Sequence, residues 1–141
     1  MLSEKRRVPK SKISWKKFDE LCQNLATGIA LEKSQPLRFI KQIYGIPRGG
    51  LVVAVKLSHL LNIPLITDPF EINDLTLIVD DLTDSGEELS IFAEYGEGWC
   101  HTGFTATLFH NADSKVEPDF WVEWKPKGWV QFPWETEEST W

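Results

Sequence analysis

The sequence predicts an α/β fold, a mostly parallel twisted sheet flanked by helices. Two observations lead there. Two strand-like runs, Phe39–Ile46 and Leu75–Val79, each pass directly into a tight turn and then a helical pattern. The predicted elements also alternate, α-β-α-β-β-α-β-β, and parallel strands need crossovers of that kind.

The element that organises the rest is the run Leu75-Thr-Leu-Ile-Val79, which is short, apolar and partly β-branched. Such a run reads as a strand buried on both faces. It is expected to end at two carboxylates, Asp80 and Asp81, before the turn Thr83-Asp84-Ser85-Gly86 and a helix over Glu88–Tyr95. Amides freed at a helix N-terminus point at an anion, and the helix dipole favours it. Gly86 lets the backbone come close, and the Thr83 and Ser85 hydroxyls add neutral donors. Asp80 and Asp81 only accept, so they suit two ribose hydroxyls or a Mg²⁺ bound to them.

The remaining elements follow in order. Ser14 is a predicted N-cap. After it, Trp15, Phe18, Leu21, Cys22, Leu25, Ala26 and Ile29 recur at helical spacing, and Gly28 marks the expected fraying point. The strand Phe39–Ile46 leads through Pro47-Arg48-Gly49-Gly50 into a helix carrying Leu51, Val52, Val55, Leu57, Leu60 and Leu61. Asn62-Ile-Pro64 stops that helix, Leu65-Ile66 is a short strand, and Asp68-Pro69-Phe70 turns. Gly96 to Gly98 break the chain before strands at Phe104–Phe109 and Asp119–Val122.

Length and composition set bounds. The 141 residues, 42% of them hydrophobic, suffice for one domain with a core, expected over 13–141. Residues 1–12 are expected to form a flexible basic tail. A net charge of −6 argues against a general nucleic-acid surface. With no apolar run of membrane-spanning length and no signal-peptide pattern, a cytoplasmic location without membrane partners is expected. Cys22 and Cys100 stand apart, which suggests reduced thiols. The three histidines show no metal-ligand spacing. Five of the seven tryptophans lie between Trp99 and Trp134. They form either a core-and-interface belt or a stacking wall for a planar ligand.

Val79-Asp-Asp-Leu-Thr-Asp-Ser-Gly86 resembles the phosphoribosyl-pyrophosphate (PRPP) motif of the type I phosphoribosyltransferases. Gly45-Ile-Pro-Arg-Gly-Gly-Leu51 resembles the pyrophosphate loop of the purine enzymes, which often carries a non-proline cis peptide, here near Pro47-Arg48-Gly49. Lys127-Gly-Trp-Val-Gln-Phe-Pro-Trp-Glu135 resembles the C-terminal base-binding segment of the xanthine-guanine branch.

The resemblance implies transfer of ribose 5-phosphate from PRPP to guanine, xanthine or hypoxanthine in purine salvage. It implies Mg²⁺ as cofactor, held by Asp80 and Asp81, and a homodimer or tetramer. PRPP is expected on Asp80, Asp81, Leu82, Thr83, Asp84, Ser85, Gly86 and Glu87. Its pyrophosphate is expected on Pro47, Arg48, Gly49 and Gly50, and the purine on Asn111, Trp129, Val130 and Glu135. Asp84 is the expected general base.

Three places depart from the family pattern. The interval Thr67–Asp74 is too short for the usual mobile lid. Glu88 stands where a hydroxyl normally meets the 5′-phosphate, and Asn111 where a lysine meets the purine 6-oxo group. These departures keep a second expectation open, a PRPP- or nucleotide-binding regulator on the same fold.

Overall fold

The computed structural model describes residues 10–93 and 103–137. Trp99, Cys100, His101, the Gly96–Gly98 break, the Tyr95 helix end and residues 1–9 lie outside them.

Five parallel strands form the main sheet in the order β3-β2-β4-β5-β6. They are β2 (Gln42–Gly45), β3 (Leu65–Ile66), β4 (Thr76–Thr83), β5 (Phe104–His110) and β6 (Phe120–Trp124). Helix α2 (Gly49–Leu61) connects β2 to β3, and α3 (Glu87–Ala93) follows β4. From β2 the chain winds one way to β3. From β4 it winds the other way through β5 to β6. The reversal leaves a crevice at the C-terminal ends of β2 and β4, where open α/β sheets bind ligands. The expected fold class is therefore the observed one.

Period-two alternation along β4 divides the core. Leu77 and Val79 face the cluster built from Phe18, Leu21, Leu25 and Ile29 of α1 (Trp15–Leu31) with Val53 and Leu57 of α2. Ile78 faces the other way, with Tyr44, Ile46, Ile72 and Leu89 of α3. Central-strand side chains are thus buried on both faces, as the apolar run requires.

Several boundaries differ from expectation, and four of the differences bear on the site or the packing around it. β4 does not stop at Val79 but continues through both aspartates to Thr83, because β5 pairs with it at Asp80↔Thr107, Leu82↔Phe109 and Thr83↔His110. β2 starts only at Gln42, since Pro36–Arg38 form a 3₁₀ turn whose Pro36 carbonyl accepts from the amides of Phe39 and Ile40. α1 begins as predicted, with the Lys17 amide donating to Ser14 Oγ at 3.0 Å. It then passes through Gly28 to Leu31, because a small residue on an open helix surface weakens the helix without ending it.

The fourth difference is at the N-terminus. The last three residues of the expected tail form β1 (Lys10–Lys12), which pairs in parallel with β7 (Trp129–Gln131). Lys10 also bonds Glu137. This small second sheet ties the C-terminal segment down next to the crevice. No helix of the described residues is long and apolar enough to cross a membrane.

Candidate active site

The two turns at the switch point face each other. In the first, the Pro47–Arg48 peptide is cis, at the place the family resemblance indicates. Gly49 and Gly50 then open α2. Their lack of side chains is demanded by β4. A Cβ on Gly49 would overlap the Asp81 carboxylate. A Cβ on Gly50 would lie 2.6 Å from the Val79 carbonyl oxygen. This glycine loop is therefore laid directly on the strand that carries the carboxylates.

In the second turn, Gly86 has φ +89°, a conformation natural to glycine. The Glu87 amide donates to Ser85 Oγ at 3.2 Å, so the turn is capped by its own serine. The loop after β5 braces the turn from outside. The Asn111 amide N–H donates to the Thr83 carbonyl at 2.9 Å, and the Lys115 amide to the Ser85 carbonyl at 3.1 Å. Between them, Asn111 Nδ2 donates to Asp84 Oδ1 at 2.8 Å.

A cleft of about 710 Å³ lies between the turns. It gathers most of the expected residues: Pro47, Arg48 and Gly49 on one wall, Asp80 through Gly86 on the floor, and Trp129 and Glu135 on the C-terminal segment. Leu89 and Trp134 also line it, and neither had been assigned a place there. Four expected residues do not line it. Gly50 lies beneath it against β4. Glu87 borders a smaller depression with Ser90 and Lys115. Val130 sits inside β7 opposite Ser11, with its side chain in the core. Asn111 is engaged by Asp84 and Thr83.

The described tryptophans divide between internal packing and the cleft lining. Trp134 stacks on Phe132 with centroids 4.8 Å apart and meets Phe18 edge-on at 5.3 Å, yet it also lines the cleft. Trp121 and Trp124 of the edge strand β6 pack with His110 of β5, away from the cleft lining. Trp129, on β7, is the other tryptophan that lines the cleft.

The electrostatics of the cleft are strongly one-sided. Asp80, Asp81, Asp84, Glu88 and Glu135 line it, and among the described lining residues Arg48 is the one cation. Burial, and then the neighbouring Asp81 charge, holds the Asp80 carboxyl well above the usual carboxylate range. Asp81 is pushed up to about 6, mainly by burial, with Glu135 adding repulsion. Each carboxylate keeps one amide bond, from Asp81 N–H to Asp80 Oδ1 and from Leu82 N–H to Asp81 Oδ1, both 2.8 Å.

An all-oxygen, under-neutralised pair of this kind fits a hard divalent cation. Among the described residues no three ligating side chains converge on one point. Such a cation would therefore complete its shell with ligand oxygens and water. Glu88 lines the cleft, and its charge adds to the repulsion on Asp80. Between β3 and β4 there is only a 3₁₀ turn, Pro69–Glu71, with no hairpin to serve as a lid.

Known structures share this architecture. No protein-family model matches the chain, and no curated protein matches it in sequence. A purine phosphoribosyltransferase from Pyrococcus horikoshii superposes with a TM-score of 0.74 at 27% identity, covering 93% of this chain and 97% of that one. A xanthine-guanine-hypoxanthine phosphoribosyltransferase from Helicobacter pylori superposes at 0.73 with 18% identity, over 90% and 93%. A hypothetical protein from Neisseria gonorrhoeae with bound ppGpp superposes at 0.64 with 18% identity, over 92% of each chain. The fold is that of the type I phosphoribosyltransferases. Among proteins of that fold the chain is similar to purine phosphoribosyltransferases.

Proposed function

We propose that this protein transfers ribose 5-phosphate from PRPP to a 6-oxopurine, giving the nucleoside monophosphate and pyrophosphate. The observation that carries the reading is the convergence of the Pro47–Gly49 loop, the Asp80–Gly86 strand end and Trp129 on one cleft.

In the reaction a purine ring nitrogen forms a bond to the ribose C1, the C1–O bond to pyrophosphate breaks, and the purine loses a proton. The turn from Thr83 to Gly86 takes the 5′-phosphate. Arg48 and the Gly49 and Gly50 amides take the pyrophosphate, with a permanent charge placed where the leaving group gains its own. Asp80 and Asp81 hold the ribose hydroxyls and would hold a Mg²⁺ shared with PRPP. That ion, when bound, neutralises the leaving group. Trp129 stacks on the base, which limits its approach to one plane. Asp84, exposed in the cleft, accepts the purine proton. Assembly into a dimer or tetramer belongs to the same proposal.

A second reading is favoured by two observations. Glu88 adds negative charge to the phosphate end of the cleft, and no lid follows β3. A protein that binds PRPP or a nucleotide as a regulator would tolerate both. Calorimetric titration with PRPP, with and without Mg²⁺, followed by each purine base separates the readings. Mg²⁺-dependent PRPP binding followed by pyrophosphate release supports the transferase, and binding without release supports the regulator.

A further inference from the structure

We infer that Asn111 is a positioning residue for Asp84, and that it acts on the reaction through Asp84 and not through contact with the purine. The inference rests on the transferase reading above and assigns its general base a dedicated partner.

The geometry leaves the Asn111 side chain little freedom. Its Oδ1 accepts from the Asp113 amide at 3.0 Å, closing a turn on its own loop. That contact fixes which end of the amide is oxygen, so Nδ2 is the end presented to Asp84 Oδ1 at 2.8 Å. Its backbone is fixed too. The Asn111 amide donates to Thr83 at 2.9 Å, and the Asn111 carbonyl accepts from the Ser114 amide at 3.0 Å. Asn111 continues from the last residue of β5, and β5 is held to β4 up to Thr83↔His110. The donor is thus mounted on the sheet itself, next to the point where the Asp84 turn leaves it.

Asp84 needs such a partner. It is exposed, and it follows the end of β4 in a turn whose neighbouring carbonyls, Thr83 and Ser85, are both tied to the 111–115 loop. An exposed carboxylate samples several rotamers unless something selects one. A neutral amide selects one rotamer and leaves the second oxygen, Oδ2, for the purine proton. A lysine in this place would bring a charge to the base. Asparagine brings a fixed hydrogen bond to the group that takes the proton.

Asn111→Asp tests this with minimal change of shape. It keeps an oxygen for the Asp113 amide, removes the donor to Asp84 and adds a carboxylate beside it. Asn111→Ala, which removes the donor without adding charge, is therefore measured alongside and should show the same loss. The expected result is a kcat about tenfold or more below wild type, within the range that general-base catalysis supplies. The KM values for PRPP and for purine should stay within about twofold, and the melting temperature close to wild type. The double variant Asn111→Asp/Asp84→Ala should be no slower than Asp84→Ala alone, because residues that act as a unit are not additive.

An unchanged kcat in Asn111→Asp would overturn the inference. So would a raised purine KM at constant kcat, which would make Asn111 a reader of the base. A double variant slower by the product of the two single losses would also overturn it. A wild type that releases no pyrophosphate with any purine would remove the transferase reading and this inference together. That result is distinct from an active wild type matched by an active Asn111→Asp.

Discussion

Gly49 lies against the Asp81 carboxylate so closely that a single methyl group between them would displace one or the other. This contact joins the two sequence motifs physically. The loop expected to hold pyrophosphate and the pair expected to hold ribose and cation share one packed surface.

The contact predicts a contrast between adjacent glycines. Gly49→Ala meets a side chain that can swing aside, so the fold should survive while Asp81 leaves its place. Affinity for PRPP with Mg²⁺ should fall at least tenfold by calorimetry, or about 1.4 kcal/mol. Gly50→Ala meets the backbone of Val79 and Asp80, which cannot move without disturbing β4. It should cost about 2 kcal/mol or more of stability in denaturant titration.

The two cleft tryptophans should separate in the same way. Trp129→Ala is expected to raise the purine KM or Kd by about 1–3 kcal/mol, the worth of one base–aromatic stack, with little effect on folding. Trp134→Ala removes contacts to Phe18, Phe132 and Trp15. It should lower the melting temperature, with a stability loss below the about 3–5 kcal/mol usual for a fully buried aromatic, because Trp134 is only partly buried.

Stability should depend on pH through the buried carboxylates. Asp81 titrates at about 6 in the folded chain against an ordinary 3.8, and Asp80 is displaced in the same direction. The folded state therefore binds more protons than the unfolded one between these values, and stability falls as pH rises through them. Without Mg²⁺ or ligand the protein should be more stable near pH 4 than at pH 8 as far as this pair is concerned. Asp81→Asn removes its part of the cost and should gain on wild type by a few kcal/mol at pH 8, and little near pH 4. Equal pH profiles for the two proteins would contradict the assignment.

Much of this was legible in the sequence, for physical reasons that differ between elements. The strand–turn–helix units at Gly45–Leu61 and Leu75–Ala93 carry their own signals, since apolar runs, paired glycines and a Ser-Gly turn are local chemistry. Ser14 likewise announces α1. The extension of β4 through Asp80 and Asp81 was not legible. Aspartate is poor in strands, and only pairing with Thr107 and Phe109 on β5 overrides that preference. β1 is three residues, Lys-Ser-Lys, with no apolar alternation, and its partner β7 is remote in sequence. The brace from Asn111 to Asp84 joins two loops from neighbouring strands, so no single stretch of sequence contains it. Asn111-Ala-Asp-Ser is a turn composition, and such a composition does not say what the loop holds.

Cys22 offers a check on the packing of α1. Its thiol is fully enclosed, and burial pushes it up to about 12. Native protein treated with iodoacetamide at pH 8 should leave Cys22 unmodified, whereas unfolded protein should be labelled there. Rapid labelling in the native state would contradict the placement of α1 on the sheet.

The most direct test of the central claim is chromatographic detection of nucleoside monophosphate after mixing the protein with PRPP, Mg²⁺ and guanine, xanthine or hypoxanthine, alongside Asp84→Asn. The account predicts nucleotide and pyrophosphate in equal amounts from the wild type with at least one base. Asp84→Asn should be about 100-fold slower or more, with PRPP affinity retained. A wild type that binds PRPP and forms no nucleotide with any of the three bases would contradict it.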